Sequence, residues 1–260
     1  MPKKSILTNP YKTGDEDKLQ WFDAKLARFI FGSLTLWEKY FRYEIHGVHN
    51  IPKKGGAILA MNHSFFFIDL AFLTKHAFLK RGRRARGVAE HLTWKIPVLR
   101  EIFLNLGIVD GNPKNALRLL KSKHLMAVCP GGAQEAMRSY KDKYKLLWED
   151  HYGFVKMAIK AQVPIIPCMS VGSDDAYVML VNGYHRWKKL FVPLPIFFGL
   201  GLMPFPVKIR HYVGQPITHN YKPSQHKDMK CVKALHARVV KESQKLLSEG
   251  LKKRKLWGFL

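Results

Sequence analysis

His63 and Asp69 stand six residues apart in MNHSFFFIDL (61–70), and the two side chains are of the types that move a proton together. An imidazole takes a proton near neutrality, and a carboxylate holds one tautomer and stabilises the imidazolium. Phe65, Phe66, Phe67 and Ile68 lie between them and would keep water away. On a regular helix six residues rotate by about 600°, so the pair shares no face and meets only if His63 lies in the turn before the helix. Taken alone, such a pair is more often structural than catalytic.

The second segment is CPGGAQEAM (129–137). Pro-Gly-Gly at the end of an apolar run lets backbone approach a ligand closely, because glycine has no side chain and tolerates positive φ. A helix-like AQEAM follows, so N–H groups there can face an anion or oxyanion. Glu135 suits a substrate hydroxyl, and equally the first turn of an ordinary helix.

Strands and helices must carry these residues. GAILAM (56–61), residues 85–89, LMAVCP (125–130) and VPIIPCMSV (163–171) read as strands. Residues 107–109 form a short apolar piece, and Val207–Val213 alternates as a half-exposed strand would. Helical patterns cover 68–79, 97–105, 113–121, 152–161 and a long basic stretch, 224–251. Strand–helix alternation predicts an α/β fold with a mostly parallel central sheet flanked by helices. His63 then follows a strand and precedes a helix, where such sheets present functional groups.

At the N-terminal side, Trp21, Phe22, Leu26, Phe29, Ile30, Leu34, Trp37 and Phe41 recur at helical spacing within 19–43. Charges interrupt this stretch, so it predicts an amphipathic helix at a membrane interface, or one packed on the core. Leu190–Val207 has the minimum length for a span but holds four prolines and two glycines. It reads as an apolar loop that packs on the protein or dips into one leaflet. Residues 1–18 hold no apolar core of signal-peptide type, so a chain that is not secreted is expected. The division expected is a membrane-associating segment (1–43), an α/β domain (44–220) and a basic C-terminal helix and tail (221–260).

The chain has 44 Lys and Arg against 19 Asp and Glu, a net charge of +25, and three cysteines without metal-ligand spacing. No metal site or disulfide framework is expected. A 47% apolar share excludes wholesale disorder. The charge calls for an anionic partner: nucleic acid, acidic lipid or a polyphosphate. It concentrates in 75–100, which includes Lys80, Arg81, Arg83, Arg84 and Arg86, and in 222–255, which runs into Trp257 and Phe259.

Four ordered blocks resemble the glycerolipid acyltransferase superfamily: HGVHNIPKKGGAILAMNHSFFFID, GIVDGNPKNALRLL, LMAVCPGGAQEAM and GFVKMAIKAQVPIIPC. NHSFFFID and PGGAQEA are most similar to the Pro-Gly-Gly branch, with its diacylglycerol acyltransferase-like members. The resemblance implies that His63 is the general base and Asp69 its partner. It implies that Asn62, Ser64, Lys114, Gly131, Gly132, Glu135 and Arg138 line the substrate region. The acyl donor would be acyl-CoA or acyl carrier protein, drawn to the Lys80–Arg86 cluster, with no cofactor. The acceptor would be a lipid hydroxyl: mono- or diacylglycerol, a long-chain alcohol or a lysophospholipid. Two departures favour a neutral acceptor. The His–Asp spacing is one residue longer than in phospholipid-making members; Gln134 stands where related Pro-Gly-Gly sequences can carry arginine, and Lys114 where many members have one. An anionic membrane surface on the cytoplasmic face is the expected location. The competing readings are a non-catalytic basic lipid-binding protein and a nucleic-acid-binding protein. The second lacks any recognised motif, and its aromatics cluster with aliphatics rather than basics.

Overall fold

The structure, a computed structural model, describes residues 24–65, 67–89, 107–180, 197–200 and 203–254. The helix expected at 97–105, the Trp257–Phe259 tail and much of Leu190–Val207 lie outside the described residues.

Seven strands form one sheet in the order β1-β9-β6-β2-β5-β3-β4. They are β1 (Glu44–His46), β2 (Ala57–Met61), β3 (Ala85–Ala89), β4 (Val109–Asp110), β5 (Leu125–Val128), β6 (Ile165–Val171) and β9 (Arg210–Val213). Every pairing is parallel except β6 with β9, so β9 and β1 run against the other five. A separate antiparallel pair, β7 (Val178–Met179) with β8 (Phe197–Phe198), follows the carboxyl end of β6. The α/β architecture with a mostly parallel sheet is thus as the alternation predicts.

The central strands read as unbroken apolar runs because helices cover both faces. On one face, Ile58, Ala60, Met126, Val128 and Ile165 pack against α3 (Pro113–Lys121), α5 (Gly153–Ala161) and α6 (Met229–Lys252). On the other, Ala57, Leu59, Met61, Leu125 and Ile166 pack against Leu73 and Ala77 of α2 (Ile68–Arg81). The period-two alternation of side chains divides each strand between the two cores.

Helix starts follow local chemistry. Asn112 caps α3 by accepting the Asn115 N–H at 2.9 Å, with Pro113 in the first turn. Asp228 caps α6 by accepting the Lys230 N–H. That cap corrects the single helix expected from residue 224: Pro223–Lys227 is a 3₁₀ turn, and the α-helix begins only after Asp228.

Helix α1 (Ala24–Tyr40) packs on α2 and on the carboxyl side of the sheet. Leu34 and Phe41 are buried there, Phe31 meets Phe78, and Glu38 accepts both Lys75 Nζ (2.8 Å) and His76 Nε2 (2.9 Å). The opposite side leaves Phe29 and Leu36 in solvent. Strand β9 departs from the half-exposed strand expected. It is an interior strand, and His211, Tyr212 and Val213 are buried, because β1 flanks it and α6 packs against it.

Candidate active site

The segment between β2 and α2 is held from both sides. Asn62 Nδ2 donates to the Ser170 carbonyl on β6 (3.0 Å), and its Oδ1 accepts the Ser170 N–H (2.8 Å). The side chain is 1% exposed, so the expected substrate contact is replaced by a clip between two strand ends. Replacing Asn62 by alanine leaves a buried donor and a buried acceptor unpaired. It is expected to cost about 2–4 kcal/mol in a urea unfolding experiment, and a change within error would refute the clip.

His63 lies in the turn before α2, the one position from which it can approach Asp69. Its main-chain N–H donates to Glu135 Oε1 at 3.2 Å. Its Nδ1 is 2.8 Å from the Ser64 carbonyl. A carbonyl only accepts, so Nδ1 carries the proton and Nε2 is left with a bare lone pair. The Phe67 ring meets the imidazole edge-on at 4.5 Å, and Phe67 itself has φ 54°, an αL conformation rare for an aromatic residue. The imidazole is depressed to about 4, chiefly by burial, with the Ser64 carbonyl opposing and Arg138 adding to the fall.

Asp69, in the first turn of α2, is 2% exposed. One oxygen accepts the Leu70 N–H at 2.9 Å, and the other is buried without a hydrogen bond. This carboxyl is raised to about 6, chiefly by burial, with the Leu70 N–H pulling it down and Asp174 pushing it up. No hydrogen bond joins Asp69 to the imidazole, since Nδ1 is turned to Ser64.

Glu135 is wholly buried and does not face a substrate. It accepts the His63 N–H through Oε1 and the Trp148 indole N–H (2.8 Å) through Oε2, and pairs with Arg138 Nη1 at 3.1 Å. Burial raises it to about 7, opposed by Arg138 and the two N–H donors. Gly131 makes room for it: a Cβ there would lie 1.9 Å from Glu135 Oε2. The Gly132 N–H is spent on the Cys129 carbonyl (2.9 Å), which removes that donor from an oxyanion role. The helix expected here is one turn, α4 (Gly132–Ala136).

Arg138 is 4% exposed and is held by two acids. Besides Glu135 it donates through Nε (3.1 Å) and Nη2 to Asp174, which also accepts the Tyr144 N–H at 2.7 Å. Asp175 in turn accepts from Lys143, the Tyr144 hydroxyl and Arg254 beyond α6. Beside this network lies a small pocket, partly open to solvent. Phe65, Tyr177 and Met179 form its apolar wall, and Arg138, Ser173 and Asp174 its polar floor. The Ser173 hydroxyl is buried there without a hydrogen-bond partner.

Lys114 is exposed at the start of α3, which follows β4. Three strand spacings, about 14 Å, separate β4 from β2. The Lys80–Arg86 cluster is farther still. It joins the end of α2 to the start of β3, at the amino ends of the parallel strands, whereas His63 follows their carboxyl ends. Its expected place beside the site is therefore corrected by the topology.

Comparison with known proteins adds the family. The diacylglycerol acyltransferase family model matches residues 38–256. The chain belongs to the diacylglycerol acyltransferase family. It is 34% identical over 196 residues to a human protein described as "DGAT1/2-independent enzyme synthesizing storage lipids", covering 72% of this chain and 58% of that one. The bovine protein of the same description is 33% identical over 198 residues, covering 72% and 57%. The chain thus spans under three fifths of the length of these curated relatives. Among solved structures it is similar to the 1-acyl-sn-glycerophosphate acyltransferase of Thermotoga maritima, with 20% identity, 89% of each chain covered and a TM-score of 0.47.

Within this family member, Trp148, Ser170, Asp174 and Asp175 were not among the expected site residues. The acids carried a signal: two adjacent carboxylates, in a chain with only 19 acids, directly after a strand that points at the site. Trp148 and Ser170 carried none, because their partners lie 13 and 108 residues away.

Proposed function

We propose that this chain is a membrane-associated O-acyltransferase that moves a fatty acyl group from a thioester donor, acyl-CoA or acyl carrier protein, to the hydroxyl of a neutral glycerolipid. The observation that carries this reading is the His63 imidazole, with Nδ1 tied to Ser64 and Nε2 left as a lone pair, at the carboxyl end of β2. Nε2 takes the acceptor's hydroxyl proton as the oxygen attacks the thioester carbonyl. The tetrahedral intermediate collapses, the C–S bond breaks, and the imidazolium returns the proton to the departing thiolate. An ester and a free thiol result, with no covalent enzyme intermediate. Asp69 supplies the negative charge that favours the imidazolium across the short turn. Glu135 is a positioning group that accepts the His63 N–H, and Arg138 holds Glu135 in place.

The acceptor follows from Arg138. Its charge is balanced by Asp174 and its donors are shared with Glu135, so it offers little to a phosphate. The Ser173 hydroxyl and the apolar wall of the pocket suit an uncharged glycerol with acyl chains. Phe67, Phe198, Leu200 and Met203 are all about half exposed on the segments around that pocket, and they suit contact with a leaflet on the cytoplasmic face. Among the described residues no helix is long and apolar enough to cross a membrane. The decisive experiment incubates reconstituted protein with radiolabelled acyl-CoA and a panel of lipid acceptors. A neutral ester product is expected, and phosphatidic acid would overturn the acceptor assignment.

The pH profile separates the two groups. His63 stays unprotonated down to about 4, so it places no break near 6.5. Asp69 takes a proton as pH falls through about 6 and loses the charge that favours the imidazolium. Transfer is therefore expected to rise with pH through about 6 and then level. Asp69→Asn should give a lower rate with that limb gone; an unchanged limb would assign it elsewhere.

A further inference from the structure

Strands β6, β2, β5 and β3 run parallel and adjacent, so the loops that enter them meet at one end of the sheet, opposite His63. From its own loop Arg83 staples two others: it donates to the Pro52 (2.8 Å) and Gly55 (2.6 Å) carbonyls of one and to the Lys123 carbonyl (2.8 Å) of the other. The Gly56 backbone lies so close to the end of α3 that a Cβ there would be 2.6 Å from the Leu120 carbonyl oxygen. The stapled surface exposes Lys53, Lys54, Lys80, Arg84, Lys121 and Lys123. Stretches 47–57, 78–88, 117–127 and 156–166, which contribute to it, contain no Asp or Glu. Among the described residues no ion pair engages Lys53, Lys54, Lys121 or Lys123. The positive potential is felt inside the fold as well: burial first, then Arg86, Arg83 and Arg84, depress His124 to about 4.

We propose that this basic end is a docking surface for an anionic bilayer, separate from the surface through which the site meets its acceptor. The exposed cations are mostly lysines, mobile point charges suited to a plane of headgroup phosphates rather than to one forked ligand. Loops 52–56, 82–84, 121–124 and 162–164 carry no Phe, Tyr or Trp, so they offer no stacking platform for single-stranded nucleic acid. Strands of four to seven residues, about 13–23 Å, separate the two ends. A flat bilayer seated at the site end does not reach the basic end, so the protein can join two surfaces at once. This surface does not depend on the catalytic reading of His63.

The test uses the full chain, vesicles of phosphatidylcholine alone, and vesicles of equal parts phosphatidylserine and phosphatidylcholine. Wild-type protein should pellet with the anionic vesicles, cluster the two populations, and release as salt is raised. The variant carrying Lys53→Glu, Lys54→Glu, Lys121→Glu and Lys123→Glu should bind anionic vesicles at least about 100-fold more weakly, with unchanged transfer to diacylglycerol in detergent micelles. The same four positions changed to glutamine should give an intermediate loss, which separates lost charge from misfolding. Wild-type binding that ignores salt, or full binding by the charge-reversed variant, would overturn the proposal. So would wild-type binding to duplex DNA with none to vesicles. His63→Ala should cluster vesicles normally while losing transfer. If it kept transfer, the catalytic reading would fall and the docking surface would stand.

Discussion

His63→Ala is expected to lower acyl transfer by about 10²–10⁴-fold, the range a single general base contributes. The fold should survive. The variant keeps the main-chain N–H that Glu135 accepts, and loses one side-chain hydrogen bond to Ser64 and an edge contact with Phe67. Those losses amount to about 1–2 kcal/mol, against the 5–15 kcal/mol usual for a domain. Single-turnover transfer and a thermal melt on the same preparation separate the two effects. A folded variant that transfers at the wild-type rate would end the general-base assignment. It would leave a lipid-binding protein with this fold as the better reading. His63→Gln sharpens the comparison: its amide can preserve the bond to the Ser64 carbonyl but cannot take a proton, so it should be as slow as alanine and more stable.

That pair of outcomes depends on where the imidazole's own bonds go, and this was the part of the site least legible in the sequence. The chain order of strand, His63 and helix is local, so it places His63 at the carboxyl end of β2 from patterning alone. The partner of Nδ1 is not local in any pattern. The carbonyl of Ser64 is a backbone atom that every residue type would offer, so no choice of side chain announces it. Glu135 was visible as a chemically able residue, but its role turned on contacts 72 residues back to His63 and 13 forward to Trp148. The basic run from Lys80 to Arg86 shows the opposite failure. It is adjacent in sequence to the helix that carries Asp69, yet α2 is 14 residues long, so its last turn lies about 20 Å from its first. Chain proximity to a site therefore says little once a helix intervenes. Strand β1 escaped notice because three residues, Glu44–His46, are too few to show a period. Its partner β9 alternates like a half-exposed strand because nothing in Arg210–Val213 indicates the neighbour that covers it.

Gly131→Ala and Gly132→Ala, adjacent substitutions of identical chemistry, are expected to differ by about 1–4 kcal/mol. At Gly132 the backbone has φ 53° with nothing near the added methyl, so alanine pays only the left-handed penalty of about 1–2 kcal/mol. At Gly131 the backbone is ordinary, φ −71°, but the methyl would sit 1.9 Å from Glu135 Oε2 and 2.6 Å from its Cβ. The carboxylate must move, and it is wholly buried with no solvent to move into. Its displacement leaves the Trp148 indole N–H and the His63 N–H without an acceptor and strips Arg138 of one of its two acids. Breaking a buried pair of this kind costs about 3–5 kcal/mol, a fall in melting temperature of about 6–20 °C for a chain of this size. Transfer should fall with it, because His63 is held through the same carboxylate. Gly132→Ala should lower the melting temperature by only a few degrees and keep most of the activity. The cause can be isolated by repeating Gly131→Ala in a Glu135→Ala background. There the carboxylate is already gone, so the added methyl should cost less than it does in the wild type. Equal costs in both backgrounds, or equal costs at the two glycines, would show that Gly131 is not the space Glu135 requires, and the positioning of His63 through that carboxylate would then have to be abandoned.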